Sequence, residues 1–270
     1  MHHSKSPLRL DTLPLDILID VFKSLPSFTY LQPLVLAHRA FSEVWKVNFN
    51  EISQAIAHAE FEPWEEAINL MLEQRHSTED VVTTRTSPMR LSKEDLAQMH
   101  TNAQYLGRLE IMHDASKEVW GGPPTADSET ELLRFRRASY RVWVFMLTIE
   151  LPRCESMCDP LSLVELIEMQ AAAKFFDVPT HWPGLPDFSV FHQGYAVSSL
   201  EGVMRRRILD YVKCDPEVDL DEVYDLKRQY ASLNLQDPSV KGEDFPKQLD
   251  KLMAIHNKWR AKKSEETKPK

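Results

Sequence analysis

Seven glycines serve a chain of 270 residues, against roughly 7% in an average protein. Glycine supplies the positive-φ positions of tight hairpins and the bare backbone of phosphate-cradling loops, so β-rich and nucleotide-binding folds are disfavoured. The 17 prolines stand instead between stretches whose apolar residues recur at helical spacing. The expected fold class is all-α, with a short amino-terminal helical module followed by a larger, irregular helical domain.

Along the first segment Leu13, Ile17, Leu18, Val21, Phe22 and Leu25 form a wide apolar stripe. Asp11 or Thr12 is a candidate cap, with Pro14 in the first helical turn, where a missing N–H costs nothing. Pro26 stops this helix. A second pattern runs through Leu31, Leu34, Val35, His38, Phe41 and Trp45, with Pro33 tolerable only in its first turn. "FNEISQAIAHAEF" and "EPWEEAINLMLEQRH" predict further helices, and the polar stretch "STEDVVTTRTSPMR" predicts a loop. Beyond it, Ser92 with Asp95 and Ser128 with Glu131 resemble capping boxes, and Asp159-Pro160 is another start signal. "ELLRFRRASYRVWVFMLTIEL" is expected to be the central core helix of its region, being apolar on more than one face. "VPTHWPGLPDF" breaks the pattern, which resumes at "GYAVSSLEGVMRRRILDYV", "LDEVYDLKRQYASL" and "FPKQLDKLMAIHNKWR". Residues 261–270 are expected to be a disordered tail, and no fixed-period repeat is present.

The hydrophobic fraction is 43%, the charged fraction 27% and the net charge −9, a composition of globular chains that repel phosphate backbones. Cys154, Cys158 and Cys214 do not make a disulfide framework, which points to a reducing compartment. No apolar run approaches a membrane span and the start lacks a secretory h-region, so a cytoplasmic or nuclear location is expected and no membrane partner.

The first fifty residues also carry a pattern of kinds. Leu13-Pro14 is followed by the acidic Asp16, the aliphatic pair Ile17-Leu18, the pair Val21-Phe22 and a closing Leu25; spaced Leu31, Leu34 and Leu36 then precede Ala37, Arg39, Phe41 and Trp45. This arrangement resembles the F-box, most closely that of filamentous-fungal F-box proteins, in which such a head precedes a helical region without known repeats. The later "RFRRASYRVW" is similar to the segment beyond the head in such proteins. The second half departs from the usual pattern at Ala37-His38 and Pro33, and the match covers under a fifth of the chain.

The resemblance implies an F-box-like module over residues 8–55, a helical domain of partner- or substrate-binding role over 60–260, and docking on the Skp-type adaptor of an SCF-type cullin–RING ubiquitin ligase. The adaptor-binding residues it implies are Leu13, Pro14, Ile17, Leu18, Val21, Phe22 and Leu25, with Leu31, Leu34 and Phe41 holding or joining the contact. The chain would be a non-catalytic substrate receptor, bringing an unidentified protein substrate to the adaptor and, through it, to a cullin. A segment of about 40 residues rarely stabilises itself alone, which agrees with a stripe in need of a second surface. From periodicity alone, packing of the stripe onto the helices after residue 60 is preferred; the LP start and the paired spacing reverse that preference. The alternative is an all-helical scaffold or interaction protein whose amino-terminal helices are integral core.

Chemistry is otherwise sparse. Cys154 and Cys158 are spaced C-x3-C, but the second close ligand pair of a zinc site is missing, so no metal and no cofactor are expected. Neither a G-x-S-x-G elbow nor a phosphate-loop motif occurs, and an enzyme is not expected. Arg134, Arg137 and Arg141 share a helix face that could receive an acidic peptide; pairing with glutamates and aspartates of neighbouring helices is the preferred reading, and no nucleic acid is expected.

Overall fold

The computed structural model describes residues 13–78, 90–119, 128–148, 153–177, 190–215, 217–235 and 244–266. All regular structure among these residues is helical, which establishes the all-α class. The helices are α1 (Leu15–Lys23), α2 (Phe28–Ala37), α3 (Arg39–Val47), α4 (Phe49–Glu60), α5 (Trp64–Thr78) and α6 (Lys93–Val119). They continue as α7 (Ser128–Leu147), α8 (Arg153–Cys158), α9 (Leu163–Ala173), α10 (Val190–Cys214), α11 (Leu220–Leu235) and α12 (Asp244–Glu266). The chain divides into two compact units after Gln104.

In the first unit α1 begins one residue after Pro14, whose carbonyl accepts the Leu18 N–H at 3.0 Å; the candidate caps Asp11 and Thr12 lie outside the described residues. The helix closes at Ser24, whose Oγ donates to the Val21 carbonyl at 2.8 Å. The second pattern, read as one helix, is two. His38 is extended, with φ −156° and ψ 143°, and its Nδ1 accepts the Ala40 N–H at 3.2 Å, capping α3. A side chain at the junction thus satisfies a backbone donor that a continuous helix would have satisfied by itself. Pro33 stands inside α2, beyond the first turn where it was expected to be tolerated.

Leu18, Phe22, Leu31, Phe41, Val44, Ile52 and Ile56 form one buried cluster contributed by α1 to α4. Phe22 and Phe41 meet edge to face with centroids 6.2 Å apart. The unit extends beyond the expected module end at residue 55: Ile56 belongs to the cluster, the Phe28 N–H donates to Glu60 at 2.8 Å, and Phe28 stacks on Phe61. Further on, buried polar groups join α5 to the start of α6. Asn102, 1% exposed, exchanges amide hydrogen bonds with Gln74 at 2.8 and 3.2 Å. Asp95 pairs with Arg75 and completes the expected capping box, with the Ser92 N–H to Asp95 at 2.7 Å and the Asp95 N–H to Ser92 at 3.1 Å.

The second unit is organised around α9, which packs against α7, α10, α11 and α12. Seven of its eleven residues are buried, and the half-buried Glu165, Glu168 and Gln170 meet partners on the neighbouring helices. This corrects the expectation that α7 is the central element. α7 buries Val142 to Met146 without interruption, but its first half keeps half-exposed arginines at the rim. The start signal at Asp159-Pro160 is also displaced: α9 is capped by Ser162, in a complete capping box with Glu165. The tail expected to be disordered from residue 261 continues α12 to Glu266. Lysine and glutamate propagate an established helix well, and Lys263 lies over the Trp259 ring at 4.8 Å. Of the loop expected over 77–90, Ser77 and Thr78 continue α5, while residues 79–89, the Ser128 cap and the break at 178–188 lie outside the described residues or side chains.

Phe22 is fully buried at the meeting point of the first helices. Phe22→Ala is expected to destabilise the first unit by about 3–5 kcal/mol, measured as a shift in the urea midpoint at unchanged slope.

Candidate functional site

Eight large apolar side chains among the described residues are exposed, and five of them lie between Leu15 and Val47. That concentration makes the first three helices the candidate surface for a site. The ten residues predicted to meet a partner divide into two groups. Leu18, Phe22, Leu31 and Phe41 are at most 5% exposed and belong to the unit's own core. Leu13, Leu25 and Leu34 are half-buried and pack onto that core. Val21 is half-buried, Pro14 is exposed and Ile17 is 43% exposed. Four predicted contact residues therefore lie beneath the surface rather than on it. The cause is the geometry of the aliphatic pairs: neighbouring residues on a helix point about 100° apart, so Leu18 and Phe22 turn inward while Ile17 and Val21 take the flank.

Sequence reasoning placed too little weight on α2. "FTYLQPLVLA" holds no charged residue. It buries Leu31 and half-buries Phe28, Leu34 and Val35, yet faces solvent with Tyr30, Pro33, Leu36 and Ala37. Tyr30 is 60% and Leu36 76% exposed. Thr29 and Gln32 are the polar residues beside them; a surface helix normally carries charges on its outer face, and their absence was present in the ten letters themselves. Charges adjoin these helices elsewhere: Lys23 pairs with Glu51 at 2.8 Å and Arg39 with Glu43 at 3.0 Å.

Arg134 and Arg141 of α7 pair with glutamates, as the preferred reading anticipated, and Arg136 does the same. Arg134 meets Glu168 at 2.9 Å, Arg141 meets Glu165 at 2.7 Å, and Arg136 grips Glu110 with two bonds of 2.6 and 3.0 Å. Of the "RRR" run, Arg207 is 5% exposed. It donates to the carbonyls of Leu161, Asp159 and Cys158 at 2.6, 2.9 and 3.1 Å, joining α10 to the chain that enters α9. Arg205 reaches Glu201 at 3.5 Å, and Glu201 also holds Lys227 of α11 at 2.6 Å.

A shallow cleft lies between α6, α7 and α9. It is lined by His113, Arg134, Phe135, Glu168 and Phe175, among others. Its rings are in mutual contact, His113 stacking on Phe135 with centroids 4.2 Å apart. Among the described residues, no group of three or more His, Cys, Asp or Glu side chains is placed to hold a metal ion. Cys158 is buried and Cys214 half-buried; the Cys154 side chain lies outside the described ones. Among the described residues, no helix is long and apolar enough to cross a membrane.

No family model, curated protein or solved structure matches the chain.

Two carboxylates of the second unit tie its stability to pH. For Glu165, burial pushes the pKa up, but the Ser162 N–H and Arg141 outweigh it and hold the group below its ordinary 4.5. For Glu201, burial is likewise overcome by Lys227, Gln170 and Arg205. A lowered folded pKa contributes stability that is present above pH 4.5 and lost as pH falls through the folded values. Resistance of the second unit to urea is expected to fall progressively below that pH, and Glu201→Gln to flatten the slope.

Proposed function

We propose that this chain is the non-catalytic substrate-receptor subunit of an SCF-type cullin–RING ubiquitin ligase. It docks a Skp-type adaptor through the outward residues of α1 to α3 and carries a protein substrate on the later helices. The observation that carries the reading is α2, a surface helix with no charged residue and with Leu36 76% exposed. Ile17 and Leu15, 43% and 57% exposed on α1, add to the apolar surface next to the Leu13-Pro14 start. Covering each such side chain is worth roughly 1.5–3 kcal/mol, so a handful supports a stable interface after the cost of association. The resemblance to the F-box supplies the identity of the partner. In this reading Leu18, Phe22, Leu31 and Phe41 shape the docking surface from beneath, while Pro14, Ile17 and Val21 touch the adaptor. The receptor itself makes and breaks no covalent bond, and it acts in the cytoplasm or nucleus, where the ligase is found.

A second reading, a helical scaffold whose amino-terminal helices are integral core, is favoured by the ties from Phe28 to Glu60 and Phe61. Direct binding separates the two. The full chain is expected to form a stable complex with a purified Skp-type adaptor. Ile17→Asp combined with Leu36→Asp, both at exposed positions, should weaken that complex about a hundredfold or more, the equivalent of about 2.7 kcal/mol. Its melting temperature should stay within a few degrees of the parent. A chain that does not bind the adaptor, or a double variant that binds as well as the parent, overturns the docking assignment.

A further inference from the structure

The described part of α12 buries a narrow stripe of Leu252, His256 and Trp259. These succeed one another at the four- and three-residue steps of a helix face. The outer two are ordinary anchors, but the central one is a titratable ring, 4% exposed, in a place where leucine would serve a purely structural helix.

The surroundings of His256 disfavour a charged ring. Its Nδ1 lies 3.2 Å from the Tyr211 hydroxyl, inside an aromatic cluster with Trp259. Both His256 and Tyr211 are buried. Taking an imidazolium out of water costs more than taking out a neutral imidazole, so burial favours the neutral ring.

The charges around the ring point the same way. Arg207 of α10 is held by three backbone carbonyls, stacks over Trp259 at 4.4 Å, and acts on His256 as a fixed positive charge. Arg260, on α12 itself, adds a second positive charge. From α9 the opposing carboxylate is Glu165, which Arg141 and the Ser162 N–H already engage. α11 meets α12 through the Glu222–Lys251 ion pair at 3.8 Å, and Asp215, at the end of α10, meets Lys258 at 3.4 Å. Burial first, then Arg207 and Arg260, hold the His256 pKa below its ordinary 6.5.

We propose that α12 is a pH-released clasp with His256 as its latch. A second proton on the ring buries a charge in this cluster, adds a third positive charge beside Arg207 and Arg260, and frees α12 from α9, α10 and α11. Release uncovers the apolar stripe of Leu252 and Trp259 and takes the aromatic cover from Arg207. Because the docked ring is neutral and the released ring titrates normally, docking is at full strength above pH 6.5 and weakens as pH falls below it.

Amide hydrogen exchange of the full chain, corrected for the intrinsic rate, tests this from about pH 7.5 to about pH 5.5. One proton taken up per opening limits the effect to tenfold per pH unit. The open population of α12 should approach that rise below pH 6.5 while α7 stays flat. His256→Asn keeps an acceptor oxygen near the place of Nδ1 and does not titrate, so its α12 should show no such rise. Flat exchange in the parent chain, or the same rise in the variant, overturns the proposal. An NMR titration of His256 in the parent chain is the second measurement, and it decides alone if the variant leaves α12 open at every pH. A ring titrating below 6.5 supports the latch, and one titrating at or above 6.5 overturns it.

Discussion

The interior that four short helices can enclose sets the terms for the amino-terminal unit. α1 to α4 are nine to twelve residues each, which at 1.5 Å per residue gives rods of roughly 14–18 Å. Their common interior takes seven side chains. The first three helices carry more apolar residues than this interior and its margins can hold, so Leu15, Ile17, Tyr30, Leu36 and Val47 are left outside. An unmet burial demand of this kind, concentrated in one stretch of sequence, is the physical basis for the proposal that these helices meet a partner. It also sets the division of labour within them: Phe22 and Phe41 hold the helices together, and the residues beside them give the surface its character.

The carboxyl-terminal unit resolves the opposite problem, since it has a helix to bury and many charges to place. α9 is enclosed, and the basic residues of α7 and α10 stay at the rim, where glutamates meet them. Arg207 is the exception. Its guanidinium is buried because three carbonyls and the Trp259 face satisfy it, which makes it a substitute for the missing backbone partners between α8 and α9. The same group adds to the burial that disfavours a charge on His256, so the buried cation and the titratable anchor of α12 belong to one arrangement.

Much of this architecture was legible because helical periodicity survives in single sequences. The stretches beginning at Phe49, Trp64, Gly194 and Leu220 all lie in helices close to where the apolar spacing places them. Local polar chemistry was legible too, as with Ser92 and Asp95. Three features escaped. The break at His38 escaped because a histidine ring caps a helix rarely and no proline or glycine marks the spot. The capping of α9 by Ser162 was masked by the stronger-looking Asp159-Pro160 two residues upstream. The helical continuation past residue 260 escaped because lysines and glutamates read equally as solvated tail and as good helix formers, and only a preceding docked helix distinguishes the two.

By itself the sequence determined the class of fold, through scarce glycine and apolar residues at helical steps, and it marked the first fifty residues as a place where apolar side chains are in surplus. Which of those side chains face inward was decided only by the tertiary structure. Periodicity defines a stripe wider than the cluster it serves, and the boundary between Ile17 and Leu18 depends on where α3 and α4 come to lie. The role of His256 was likewise invisible in the letters. A histidine becomes a buried anchor of this kind only where groups distant in sequence, here Tyr211 and Arg207, converge on it, because protonation is a property of surroundings rather than of residue type.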